Sequence, residues 1–139
     1  MILIKFTIKG NPIALKRHRS TRSGRMYDPS ANDKKQMWLQ IAKFKPKQAL
    51  KGDIQLIVTF FMKRPKSHYR TGKYSHILKD KVPEYHSFVP DLDNLVKMCC
   101  DTFSGKNKMI YDDSQICRIQ AEKVYDEKPR TEIIIEEIS

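Results

Sequence analysis

Apolar and polar residues alternate at the start of the chain. Ile2, Ile4, Phe6 and Ile8 fall on one side, Leu3, Lys5, Thr7 and Lys9 on the other. A period of two with one apolar side predicts a half-buried strand over 2–9, ended by Gly10-Asn11-Pro12. Met37, Ile41 and Phe44, with Trp38 at the edge, recur at three- and four-residue spacings. That spacing predicts a helix over 31–44, capped by Ser30 or Asn32 and limited by Pro46. The run DIQLIVTFFM at 53–62 is rich in β-branched and aromatic residues and predicts a second strand. Residues 91–103 carry Leu92, Leu95, Val96, Cys99, Cys100 and Phe103 as one stripe, which predicts a second helix stopped near Gly105. Cys117, Ile119 and Ala121 alternate with Arg118, Gln120 and Glu122, a third strand near 115–125. Thr131, Ile133 and Ile135 mark a fourth near 131–137. Lys128-Pro129 lies between these last two strands, which are expected to pair as an antiparallel hairpin. The order is β-α-β-(insert)-α-β-β. It implies an α+β two-layer sandwich, one mixed sheet of about four strands with two helices, as a single domain over 1–139.

Two segments stand outside this pattern. KRHRSTRSGR at 16–25 holds Lys16, Arg17, Arg19, Arg22 and Arg25, with no acid before Asp28. Its low apolar content predicts a loop or mobile arm, either solvated or in contact with phosphates. Residues 63–87 are basic, carry Tyr69, Tyr74 and Tyr85, and include His68, His76 and His86. An irregular excursion of that length is uncommon in a compact domain. Cations interleaved with aromatics suit contact with unstacked or distorted nucleic acid, and a plain disordered insert fits the same composition.

Composition narrows the partner. The 139 residues are 40% hydrophobic, enough for a core. Lys plus Arg number 27 against 16 acids, a net charge of +11, so a polyanion is expected to bind and nucleic acid is the commonest. Charge gives a partner class, not an activity. Three cysteines without zinc or disulfide spacing read as small buried hydrophobes in a reducing compartment. MILIKFTIKG lacks a signal-peptide core, and no run approaches the roughly 20 apolar residues of a membrane span. A cytoplasmic protein with no membrane partner is expected. The four histidines, His18, His68, His76 and His86, have no placed partner and read as surface or satisfied side chains.

The segment PDLDNLVK at 90–97 is distinctive. Pro90 suits a helix start, which sets Asp91 near the N-cap and Asp93 in the first turn, with Lys97 four residues on along the same face. The helix dipole favours ionised carboxylates there. Two close carboxylates resist joint ionisation unless a cation joins them. A hard divalent ion such as Mg²⁺ takes oxygen ligands and keeps room for waters and phosphate oxygens. Asp112 and Asp113 are the paired downstream candidates for a third ligand. Spacing alone leaves plainer readings open: Asp91 as an N-cap, Asp93–Lys97 as a surface ion pair, and Asp112-Asp113 as a turn.

PDLDNLVK followed by YDDSQI resembles the RusA-like Holliday-junction resolvases of bacteria and their prophages. The element order and the opening strand with NPIALKRHR are similar too. The specific match covers about 91–116. The resemblance implies a homodimeric endodeoxyribonuclease of DNA recombination and repair, dependent on Mg²⁺ with Mn²⁺ as a substitute. It implies that such a dimer binds four-way junctions and resolves them by paired nicks. It places the metal ligands on Asp91, Asp93 and Asp113 and the essential lysine on Lys97. Asn94 matches the motif and receives no catalytic role, and the 63–87 insert is a departure. Lys16, Arg17, Arg19 and Arg22 are the expected DNA contacts. Two other readings stand beside this one. The first is a non-catalytic basic nucleic-acid-binding module, which gains nothing from acids placed near phosphates. The second is a metal nuclease for flaps or other branched DNA.

Overall fold

A computed structural model describes residues 2–16 and 19–139, with Arg19 described by its backbone alone. Strand β1 (Leu3–Lys9) is followed by two short strands, β2 (Arg19–Ser20) and β3 (Met26–Tyr27). Helix α1 (Ala31–Ile41), strand β4 (Ile54–Lys63) and helix α2 (Leu92–Phe103) come next, then strands β5 (Ile116–Asp126) and β6 (Arg130–Glu137). The main sheet has the order β1-β6-β4-β5. β4 pairs antiparallel with β6 and parallel with β5, so the sheet is mixed, as expected.

The period-two pattern carries through to burial. Ile4, Phe6 and Ile8 of β1 are buried, as are Leu56, Val58, Phe60 and Met62 of β4 and Ile133 and Ile135 of β6. They meet Met37 and Ile41 of α1 and Leu95, Met98, Cys99 and Phe103 of α2 in one cluster. A β-strand sends alternate side chains to opposite faces, so one sheet face is covered by this helix layer. Leu3, Ile57, Phe61 and Ile134 occupy alternate positions and belong to the other face, which no helix covers among the described residues. No helix there is long and apolar enough to cross a membrane.

Four local expectations change. The last two strands are not a hairpin: β4 lies between β5 and β6. Strands neighbour at about 4.8 Å, so the Glu127–Pro129 link spans roughly 10 Å over the end of β4, within reach of three extended residues. Arg130 Nη1 closes the link on Asp126 Oδ2 at 2.6 Å. The basic stretch is not a loop throughout, since β2 and β3 pair antiparallel around a tight turn. Gly24 in that turn has φ +83°, which a glycine adopts at no steric cost. Helix α1 stops at Ile41, and a 3₁₀ turn over Ala42–Phe44 follows. Three residues per turn rotate Phe44 off the Met37–Ile41 line; it is 42% exposed and stacks on Phe6 from outside. Cys99 and Cys100 are buried as expected, but Cys117 is exposed.

The 63–87 insert is irregular but tied down. Arg70 N donates to Ile77 O and Lys79 N to His68 O, making a small hairpin-like loop. Tyr125 N donates to Glu84 O and His86 N to Lys123 O, so residues 84–86 line the outer edge of β5. An uncovered strand edge is an aggregation liability, and this segment covers part of it.

Candidate functional site

Helix α2 presents its apolar stripe inward and Asp93 and Lys97 outward, both exposed. Asp91 holds the N-cap position. Its carbonyl accepts from Leu95 N at 3.1 Å, but its carboxylate makes no capping bond. Asp93 Oδ1 accepts from Asn94 N at 2.9 Å. Among the described residues no ion pair involves Asp91, Asp93, Lys97 or Asp113. The plain readings of this turn, an aspartate cap and an Asp93–Lys97 surface ion pair, are therefore not what the side chains do.

The adjacent aspartates 112 and 113 divide their roles. Asp112 caps a 3₁₀ turn over Asp113–Gln115: its carboxylate accepts from Ser114 N, and Gln115 Oε1 accepts from Asp112 N at 2.9 Å. The Ser114 hydrogen bonds hold the Asp112 carboxyl below the usual carboxylate range. Gln115 Nε2 also donates to Leu50 O and Gly52 O, which fastens the turn to the body. Asp113 is exposed and has no such task. It lies near Cys100 of α2. Burial first, then the charges of Asp113 and Asp101, pushes the Cys100 thiol up to about 12. That thiol stays protonated at neutral pH and is a poor metal ligand.

Cys100 is seven residues beyond Asp93, about 10 Å along the helix axis. Among the described residues no three acid, histidine or cysteine side chains converge as a ready metal cluster. Asp91 and Asp93 thus stand at the start of α2, while Asp113 lies near Cys100 further along it.

The basic segment begins beside this helix end. Leu15 N donates to Asn94 O, and Lys16 N donates to the buried Ser30 Oγ. Exposed Lys16 is thereby rooted between the first turns of α1 and α2. Ser30, expected to cap α1, spends its hydroxyl on Lys16 instead. Arg22 is exposed in the turn between β2 and β3. Arg17 lies outside the described residues, as does the side chain of Arg19.

One residue that shapes the candidate site was missed in the sequence. Lys123 faces the helix layer in register with buried Phe60. Its Nζ donates to Phe88 O at 2.5 Å and Pro90 O at 2.7 Å, which pins the bend that enters α2. A charged residue at an inward position of an alternating strand was the available signal. Beside it, His86 is neither on the open surface nor satisfied: its Nδ1 is buried without a partner among the described residues. Burial, then the Lys123 charge, lowers its pKa, so the ring is neutral at neutral pH. Ile119, on the same side of β5, is 49% exposed. The helix layer stops short of it, leaving open surface beside α2.

Comparison with known proteins decides the family. The profile described as Endodeoxyribonuclease RusA matches residues 9–136. The chain belongs to the RusA endodeoxyribonuclease family. It is 34% identical over 114 residues to the "Crossover junction endodeoxyribonuclease rusA" of Lactococcus phage r1t, covering 81% of this chain and 77% of that one. It is 33% identical over 148 residues to "Uncharacterized protein YqaN" of Bacillus subtilis (strain 168), covering 100% of this chain and 99% of that one. The RusA match spans both the basic segment and the α2–β5 aspartates, so the family frame includes every candidate residue named above.

Proposed function

We propose that this RusA-family chain resolves four-way DNA junctions by divalent-metal-dependent hydrolysis of phosphodiesters, in recombination and repair. The observation that carries the reading is the state of three carboxylates. In a chain with eleven excess cations, Asp91, Asp93 and Asp113 are exposed, free of ion pairs among the described residues and free of capping work. Carboxylates without a paired cation in a strongly basic protein have a purpose if they take a hard cation.

The donor set fits Mg²⁺, with Mn²⁺ as a substitute, because every candidate ligand is a carboxylate oxygen. Such an ion polarises a phosphate oxygen and lowers the pKa of a bound water. The chain's own residues do the rest. Lys97, unpaired and one turn from Asp93, neutralises charge that develops on the phosphate. Lys16 and Arg22, with Arg17 and Arg19, draw in the DNA backbone. Asp112 holds the turn that presents Asp113, and Lys123 holds the approach to Asp91.

A homodimer fits the same reading. Leu3, Ile57, Phe61 and Ile134 on the uncovered sheet face offer an apolar patch to a second copy, and a two-fold dimer supplies two equivalent sites for two symmetric strands.

The test is a panel of a synthetic four-way junction, a flap and a linear duplex, each with Mg²⁺ and with EDTA. Paired nicks on the junction with Mg²⁺ alone are expected. Cleavage of the flap in preference to the junction would reassign the substrate, and cleavage in EDTA would remove the metal.

A further inference from the structure

Phe88 and Val89 are the most exposed large apolar residues described, at 70% and 81%. They stand immediately before the helix that carries Asp91 and Asp93. Exposed apolar pairs on a chain this charged call for a partner. Three features say which. Their backbone is fixed: Lys123 Nζ grips the carbonyls on either side of Val89. The Phe88 ring is braced edge-on by His86, at 6.0 Å between centroids, and His86 is itself braced by buried Tyr125 at 5.0 Å. The chain as a whole carries a net charge of +11 and belongs to a DNA-cutting family.

A braced, exposed aromatic on a basic chain is a stacking platform for a base whose partner face has been lost. A chain this basic favours DNA over an apolar protein partner, because the phosphates are then neutralised as the bases stack. We propose that Phe88 and Val89 form a wedge that stacks on unstacked bases at the branch point of the DNA and so holds the scissile phosphate beside Asp91. Paired duplex offers no such base face, so the wedge favours branched over linear DNA. This rests on the junction-nuclease reading above and names how that same site selects its substrate.

The test uses four-way junctions carrying 2-aminopurine next to the branch point, bound in EDTA by the full chain. A duplex with 2-aminopurine in its middle is the control. Wild type is expected to change the fluorescence of the junction and not of the duplex. Phe88→Ala is expected to abolish that change and to weaken junction binding about ten-fold, more than it weakens duplex binding, the size of one lost base–aromatic stack. Phe88→Trp is expected to restore both. Both variants alter a surface side chain, and circular dichroism checks their fold. Unchanged fluorescence and unchanged junction preference in Phe88→Ala would overturn the wedge while leaving junction cleavage in Mg²⁺ intact. A wild type that neither binds nor cuts junctions would overturn both readings together.

Discussion

Asp112 and Asp113 are chemically identical neighbours with different work. From spacing alone either was a candidate ligand or a turn residue, and only the family resemblance chose Asp113. In the structure Asp112 is consumed by the Ser114–Gln115 capping box and Asp113 is not. Asp112→Ala is therefore expected to lower the thermal unfolding midpoint by a few degrees, whereas Asp113→Asn is expected to leave it unchanged. Scanning calorimetry of the two variants checks this, and the reverse order would exchange their roles. Lys123 shows why other site residues stayed hidden. Its position was legible as an oddity, a lysine on an inward-facing track, but its partners are the Phe88 and Pro90 carbonyls more than 30 residues away. Sequence pattern does not carry contacts of that range.

At the level of elements, both helices and three of the long strands were legible from a hydrophobic period, and β4 from its β-branched and aromatic run. Pairing was not. A three-residue link between two strands fits a hairpin and equally fits a step over one intervening strand, and local sequence does not distinguish them. β4 takes the middle place because its inward residues, Ile54 through Met62, are buried among both helices. The step is fastened by Asp126, whose carboxyl is held below its usual range, chiefly by the Arg130 hydrogen bond. A depressed carboxylate contributes stability that is complete above the unfolded-state value, about 3.9, and is lost as pH falls through the lowered one. Asp126→Asn is expected to cost under about 1 kcal/mol at pH 7, since the pair is partly exposed and screened. The cost is expected to vanish as the pH drops below about 4. Urea unfolding of both proteins across that range measures it, and a difference that persists in acid would deny the ion pair its role.

For the whole molecule, two helices cover one face of a mixed sheet and leave the other open. The sequence showed the covered face through its strict alternation. It said less about the open one, where Leu3, Ile57, Phe61 and Ile134 mix with charged residues. If that face is a dimer surface, Ile134→Lys is expected to halve the mass seen by light scattering, and a wild-type monomer would remove the dimer from the account. In the proposed mechanism a basic body draws in DNA, and three carboxylates on and beside α2, unpaired among the described residues, take the cation that cuts it. Single-turnover cleavage of a four-way junction in Mg²⁺ by Asp93→Asn tests this most directly. The expected result is junction binding like that of wild type, with cleavage reduced by more than about a hundredfold. Cleavage at the wild-type rate would contradict it.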